Sequence, residues 1–415
     1  MSSSPEPPDL AELRVLSDAD VYKGGTHAGR LVRRTDRVEF VYDPDYVAAG
    51  GEPVATTLPT SNPSFEAPAG AVPPYFAGLL PEGRRLAAIR ERVGTSADDE
   101  FSILLAVGAD TVGDVQVVPA GHPPELPSLG EVPDIGDTSF VDLFARAIGV
   151  EPERVALAGV QDKISGRMIS VPLHHRRHAI LLKLDPPEFP HLVENEAFFL
   201  AVARASGLRT VDVEVVHDRD GRPGLLVVRF DRILVADVPR SLPVEDGCQV
   251  MGRWPADKYR METSEVIGAL AEQCGAPRVA AHEMFRQLVF AYLAGDGDLH
   301  AKNLAIVRGE GGEWRPSPAY DLPSSAPYGD TDLALPIGGR VRSTISCRQL
   351  VELGAQVGLP ERAVLATLRE QVDHADEWGE RLDELPLDQH RLATLTKLTR
   401  HRREQLRAEI RPDVR

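Results

Sequence analysis

The feature that most constrains this 415-residue chain is an apolar helix that stops at a glycine and passes into a polar loop and a short strand. It lies in AYLAGDGDLHAKNLAIV, Ala291 to Val307. Gly295 suits the left-handed end of a helix, and Leu304 to Val307 reads as a buried strand. Asp298 precedes Asn303 by five positions. Phosphotransferases use that spacing, with the Asp accepting the proton of an attacking hydroxyl and the Asn holding a metal ion. An alcohol attacking a γ-phosphoryl group needs a proton acceptor, and oxygen ligands must hold Mg²⁺ against the developing charge. Asp321, in AYDLPSS at the end of a return through Trp314 to Tyr320, is placed to give the same metal a carboxylate.

Lys183 stands in AILLKLD, a strand with apolar neighbours, and Glu194 and Glu196 open the next helix in VENEAFF. A strand lysine facing phosphates and held by a helix carboxylate is an ion pair that phosphotransfer sites use. Either glutamate fits; Glu196 is the first choice. The small-residue turn in ALAGVQDKISGRM, Ala156 to Met168, suits backbone N–H groups laid against phosphates. Neither GxxxxGK[ST] nor GxGxxG occurs, which disfavours an ordinary P-loop enzyme. His300, two residues after Asp298, is a candidate general base or, preferably, an organiser of loop hydrogen bonds.

A formal charge of −17 opposes direct binding to polyphosphate, so no nucleic-acid contact is expected except through a partner. The basic segment Thr396 to Arg415 reads as a solvated helix face. Cys248, Cys274 and Cys347 have no CxxC spacing and read as buried thiols rather than a disulfide or zinc framework. MSSSPEPPDL lacks signal-peptide character, and the longest apolar run, Leu288 to Gly295, is short of the about 20 residues a bilayer needs. A cytoplasmic protein without membrane contact is expected.

Along the chain, residues 1–20 are expected to be a mobile tail. An α+β unit follows over 21–120, with a hairpin in Arg30 to Tyr46, helices at Pro81 to Val93 and Asp98 to Val107, and a strand at Val115 to Val118. The Pro/Gly-dense stretch 121–137 reads as a linker. Strands at Lys163 to Leu173 and Ala179 to Leu184, a helix from Glu194 to Ser206 and a hairpin built on DRDGRPG fall in 138–255. Helices near 264–274, 279–294, 348–357, 361–374 and 386–409 dominate 256–415.

Together these segments resemble the HipA-type serine/threonine kinases, toxins of bacterial type II toxin–antitoxin pairs. VYKGGTHAGRL, YFAGLLPEG and DDEFSILLAVGADTVGDVQVVP resemble the N-terminal subdomain of that family. LAGVQDK, LLKL, VENE, VVRFDR, EDGCQVMGRWPADKY, GDGDLHAKN and AYDLPSS follow in its order along the kinase core. The resemblance implies an α+β fold: a two-lobed, protein-kinase-like core with an N-terminal α+β subdomain and a mostly helical C-terminal lobe. It implies ATP and Mg²⁺ as cofactors, Asp298 as base, Asn303 and Asp321 as metal ligands, and Lys183 on the phosphates. It also implies a phosphate-covering loop of Gly159, Val160, Gln161 and Lys163, and adenine-side contacts from Phe230, Asp231 and Gln249. A HipB-like DNA-binding antitoxin and a substrate in the translation machinery, such as an aminoacyl-tRNA synthetase, are the partners it suggests.

Two positions depart from the family pattern. Ala156 and Ala158 stand where a serine, whose autophosphorylation switches such kinases off, is usual, and Ser165 is the nearest hydroxyl. Val228 replaces a frequent acidic residue before RFDR, which leaves the hinge to contact adenine by backbone. An aminoglycoside-type small-molecule kinase and a non-catalytic, partner-binding kinase-like protein are the competing readings. The N-terminal subdomain weighs against the first, and the intact Lys183, Asp298, Asn303 and Asp321 against the second.

Overall fold

The computed structural model describes residues 10–124, 135–143, 168–175, 178–236 and 238–410. The expected phosphate-covering loop, Gly159, Val160, Gln161 and Lys163, lies outside the described residues, as do Ala156, Ala158, Ser165 and the middle of the expected linker.

In the N-terminal unit, β1 (Asp18–Lys23), β2 (Thr26–Arg33), β3 (Arg37–Tyr42), β4 (Ser64–Pro68) and β5 (Val115–Pro119) form one antiparallel sheet in the order β4-β3-β2-β1-β5. Val38, Phe40 and Tyr42 alternate inward on β3, which fixes its register because a one-residue slip would turn all three to solvent. Helices α1 (Pro44–Ala48), α2 (Pro74–Gly78), α3 (Gly83–Val93) and α4 (Glu100–Val107) complete the unit. Phe76 of α2 and Phe101 of α4 join Val21, Leu31 and Phe40 in its core. Part of the expected tail is structured. Leu10–Val15 forms a 3₁₀ turn with Leu13 buried, and Asp20 of β1 accepts from Arg30 Nε at 3.0 Å and Gly121 N at 2.7 Å.

The kinase core starts with a second antiparallel sheet, β6 (Ile169–His175), β7 (His178–Leu184), β8 (Val213–His217) and β9 (Pro223–Val228), in the order β6-β7-β9-β8. Helix α5 (Leu192–Ala205) packs beside it. A hairpin of β10 (Arg232–Val235) and β11 (Val238–Ser241) follows the hinge, and then β12 (Val244–Asp246) leads into the short α6 (Gly247–Val250). Strand β12 pairs with β13 (Ala305–Arg308), which pairs with β14 (Trp314–Pro316). The boundary expected after residue 255 is therefore crossed by a sheet, and β12 belongs with the catalytic half.

The remaining mass is helical: α7 (Thr263–Gln273), α8 (Pro277–Ala294), α9 (Cys347–Gln356), α10 (Glu361–Gly379) and α11 (Gln389–Ile410). Helix α10 runs past the expected end at 374 because Gln371, Val372, Ala375 and Trp378 continue its buried stripe, and Trp378 meets Phe199 and Phe290 at ring distances of 5.9 and 6.1 Å. The C-terminal basic face is not wholly solvated. Arg402 is buried, donating to the carbonyls of Tyr292 (2.6 Å), Ser343 (2.7 Å) and Thr331, so that carbonyl dipoles rather than water hold its charge. Among the described residues no helix is long and apolar enough to cross a membrane.

Glu245 of β12 is buried and accepts from Thr56 N (2.8 Å) and Oγ1 (2.6 Å), tying the N-terminal unit to the catalytic half. Burial pushes its carboxyl up to about 7. The folded pKa exceeds the unfolded one, so the contribution to stability is full below pH ~4.5 and is lost as pH rises through about 7. Its size is at most about 3 kcal/mol. Glu245→Gln keeps both bonds to Thr56 without the charge. Its melting midpoint is expected to exceed that of the wild type by a few degrees at pH 8 and to match it near pH 5. Parallel pH profiles for the two proteins would refute this.

Candidate active site

Lys183 lies near the end of β7 and Asp185 just beyond it, and helix α5 docks on both. Asp185 accepts from the first free amides of α5, His191 N at 2.9 Å and Val193 N at 2.7 Å. One turn on, Glu196 is wholly buried and receives Lys183 Nζ at 2.7 and 3.0 Å. Glu194 instead faces His191, at 3.4 Å. Next to Glu196, Asn195 brackets the backbone of Ser324, donating to its carbonyl at 3.0 Å and accepting from its amide at 2.8 Å. Helix α5 thereby holds both Lys183 and the segment that follows Asp321.

Asp321 completes the group. Lys183 Nζ donates to its Oδ1 at 2.8 Å, and Asn303 Nδ2 donates to its Oδ2 at 3.2 Å and to the Asp298 carbonyl at 3.0 Å. Its φ of 55° lies in the left-handed region, a strained setting that aspartate tolerates better than most residues and that clusters at functional sites. Burial lowers the lysine pKa, but Asp321 and Glu196 outweigh it and hold Lys183 charged. The shared ammonium lowers Asp321 against its own burial, whereas burial prevails at the deeper Glu196 and raises it.

The loop after α8 starts at Gly295, whose φ of 74° ends the helix in the left-handed cap. Asp298 is buried, and its Oδ1 accepts from the Tyr259 hydroxyl at 2.7 Å. Asp296 Oδ1 accepts the Asp298 amide at 2.8 Å, and burial with the nearby carboxylates raises the Asp296 pKa well above the usual carboxylate range. His300 is 4% exposed, and burial beside Lys258 pushes it down to about 3, so it is neutral at physiological pH. Its backbone bonds Asp298 and Asn303, while Nδ1 has no hydrogen-bond partner among the described residues.

Lys183, His300, Asn303 and Asp321 line a cleft of about 340 Å³. Met168, Leu181 and Val227 form an apolar wall from the second sheet, and Leu80, Val107 and Val112 form another from the N-terminal unit. Phe230 and Tyr320 stack at 5.6 Å on its border. Two side chains expected at the adenine end, Asp231 and Gln249, are also tied to the N-terminal unit. Asp231 accepts from Arg229 (2.9 Å), Arg232 (2.6 Å) and Gly113 N (2.9 Å), which saturates its carboxylate and ties the hinge to the N-terminal unit. Gln249 forms a capping box with Asp246 and donates from Nε2 to the Tyr75 carbonyl at 3.0 Å. Both residues also line the cleft, beside Phe230 and the apolar walls.

A profile of the HipA-like C-terminal domain matches residues 155–378, and one of the HipA N-terminal domain matches residues 19–118. This chain belongs to the HipA-type kinases. It is 31% identical over 325 residues to the putative kinase Y4dM of Sinorhizobium fredii, covering 73% of this chain and 75% of that protein. The serine/threonine-protein kinase toxin HipA of Shewanella oneidensis is 26% identical, over 77% of this chain and 78% of its own length. The solved structure of a Shewanella oneidensis HipA, in complex with HipB and operator DNA, shares the fold, with a TM-score of 0.75 and 22% identity. That likeness covers 94% of this chain and 98% of the other.

Within this HipA-type kinase, sequence reasoning missed Glu82, Lys258, Tyr259 and Lys302. Glu82 receives the ammonium groups of Lys258 and, at 2.9 Å, Lys302. The charges stand in LLPEG, ADKY and HAKN, but nothing local pairs them. Among the described residues no three His, Cys, Asp or Glu side chains are grouped to hold a metal unaided. Asn303 meets the Asp321 carboxylate through its amide nitrogen, and its amide oxygen with that carboxylate makes two oxygen donors. That donor set fits Mg²⁺, which takes one or two protein oxygens and leaves its other positions to phosphate and water.

Proposed function

We propose that this protein transfers the γ-phosphoryl group of ATP to a serine or threonine hydroxyl of a protein, and that it is the toxin of a toxin–antitoxin pair. The observation that carries the reading is one lysine, Lys183, bridging Glu196 and Asp321 in the cleft that also receives Asn303 and His300. Mg²⁺ supplies charge neutralisation at the phosphates, with Asn303 and Asp321 as its protein ligands. Lys183 is held ready for the phosphates by Glu196, and Asp298, oriented by Tyr259, accepts the proton of the attacking hydroxyl. A HipB-like DNA-binding antitoxin is the proposed partner, in line with the complex in which the Shewanella oneidensis HipA was solved. The proposed substrate is a protein of the translation machinery, such as an aminoacyl-tRNA synthetase.

Incubating the purified protein with γ-labelled ATP, Mg²⁺ and a cell extract tests this. Label is expected on serine or threonine of a small number of proteins. Transfer only to small molecules, or ATP binding without any transfer, would overturn the reading.

A further inference from the structure

We propose that Glu82, contributed by the N-terminal unit, is a positioning residue for the catalytic loop, so that this unit completes the site and does not merely flank it. The inference rests on the phosphotransfer reading and extends it to a residue of the other domain. Glu82 immediately precedes α3, and its carboxylate caps no amide of that helix. It turns into the cleft instead, where Oε2 meets Lys258 Nζ and Oε1 meets Lys302 Nζ at 2.9 Å. Lys302 also donates to the Gly78 carbonyl at 3.2 Å, a second hold from the same unit.

The two lysines belong to the two segments that define the base. Lys302 lies four residues after Asp298 in the loop itself. Lys258 is adjacent to Tyr259, whose hydroxyl donates to Asp298 Oδ1 at 2.7 Å, and the Lys258 carbonyl accepts the Ala301 amide at 3.1 Å. One carboxylate thus locks the loop that carries the base to the segment that orients it. Both lysine side chains are 11% exposed, so water cannot replace Glu82 as their counter-charge. The lysines in turn hold Glu82 ionised: burial opposes this, but Lys302 and Lys258 outweigh it and lower its pKa. Without the carboxylate, the two ammonium groups would lose the charge that joins them, with Asp246 left as the other carboxylate acting on Lys302. Their separation would displace Tyr259 and Asp298 relative to the phosphates, and a shift on the order of 1 Å in a reacting group costs roughly 100-fold in rate.

The test is Glu82→Gln in the full chain, a near-isosteric change that removes only the charge. We expect kcat to fall between about 10- and 100-fold with the ATP KM within about threefold, because Glu82 acts through the base rather than on nucleotide affinity. Hydrogen exchange should quicken in peptides spanning 258–260 and 296–303 and stay unchanged in the β1–β5 sheet. Glu82→Asp should recover part of the lost kcat. Wild-type turnover in Glu82→Gln, a proportional loss of ATP affinity, or exchange that quickens across the whole N-terminal unit would overturn the proposal. If Glu82→Gln does not fold, Lys258→Gln breaks the clamp from the kinase side and must give the same kcat loss and the same local exchange. If the wild type phosphorylates no protein, the phosphotransfer reading fails while the exchange pattern still decides the clamp.

Discussion

Asp298→Asn is expected to lower phosphotransfer at least about 100-fold while leaving ATP affinity within a few-fold of the wild type. General-base catalysis contributes 10²- to 10⁴-fold, and the base touches the acceptor hydroxyl rather than the nucleotide. The substitution is close to isosteric, and an asparagine oxygen still accepts the Tyr259 hydroxyl that now reaches Asp298 at 2.7 Å. Loop geometry should therefore survive, and the deficit should fall on kcat alone. Single-turnover transfer and calorimetric ATP binding, measured on the same preparation, separate the two quantities. An equal loss in both would make Asp298 a structural or metal-binding residue.

Chelating divalent metal should weaken ATP binding by at least about 100-fold, and Asp321→Asn should reduce transfer by roughly 1,000-fold. Neutralising phosphate charge with a metal is worth several kcal/mol, and about 1.4 kcal/mol is a factor of ten. Without the metal, the triphosphate would meet the Asp321 carboxylate with only Lys183 between them, and that lysine is already shared with Glu196. Titration calorimetry with Mg²⁺ and with chelator reads the first effect, and steady-state kinetics across a Mg²⁺ series reads the second. ATP affinity indifferent to chelation would remove Asn303 and Asp321 from the metal site.

How much of this site was legible depended on distance along the chain. Asp298, His300 and Asn303 lie within one loop, so their spacing alone makes them candidates, and Asp321 follows after a strand pair whose alternation is readable. The choice between Glu194 and Glu196 was not legible. Residues two apart on a helix point in nearly opposite directions, and the sequence does not state which side meets β7. Burial decides it: Glu196 is fully enclosed, whereas the Glu194 side chain is 26% exposed. Asp231 and Gln249 line the cleft, and their partners Gly113 and Tyr75 come from the N-terminal unit, more than a hundred residues away. No local pattern announces such a bond.

The division is physical. The sequence by itself determined the strand and helix periods, the glycine that ends α8, the spacing of Asp298, Asn303 and Asp321, and membership of the HipA-type family, because each depends on covalent neighbours and backbone geometry. Only the tertiary structure decided which carboxylate holds Lys183, which polar side chains are committed to domain ties, and that Glu82 reaches Lys302 across the cleft. Those outcomes depend on burial: a charge removed from water must find an opposite charge or dipole, and the candidates are whatever the packed fold brings near, at any distance along the chain.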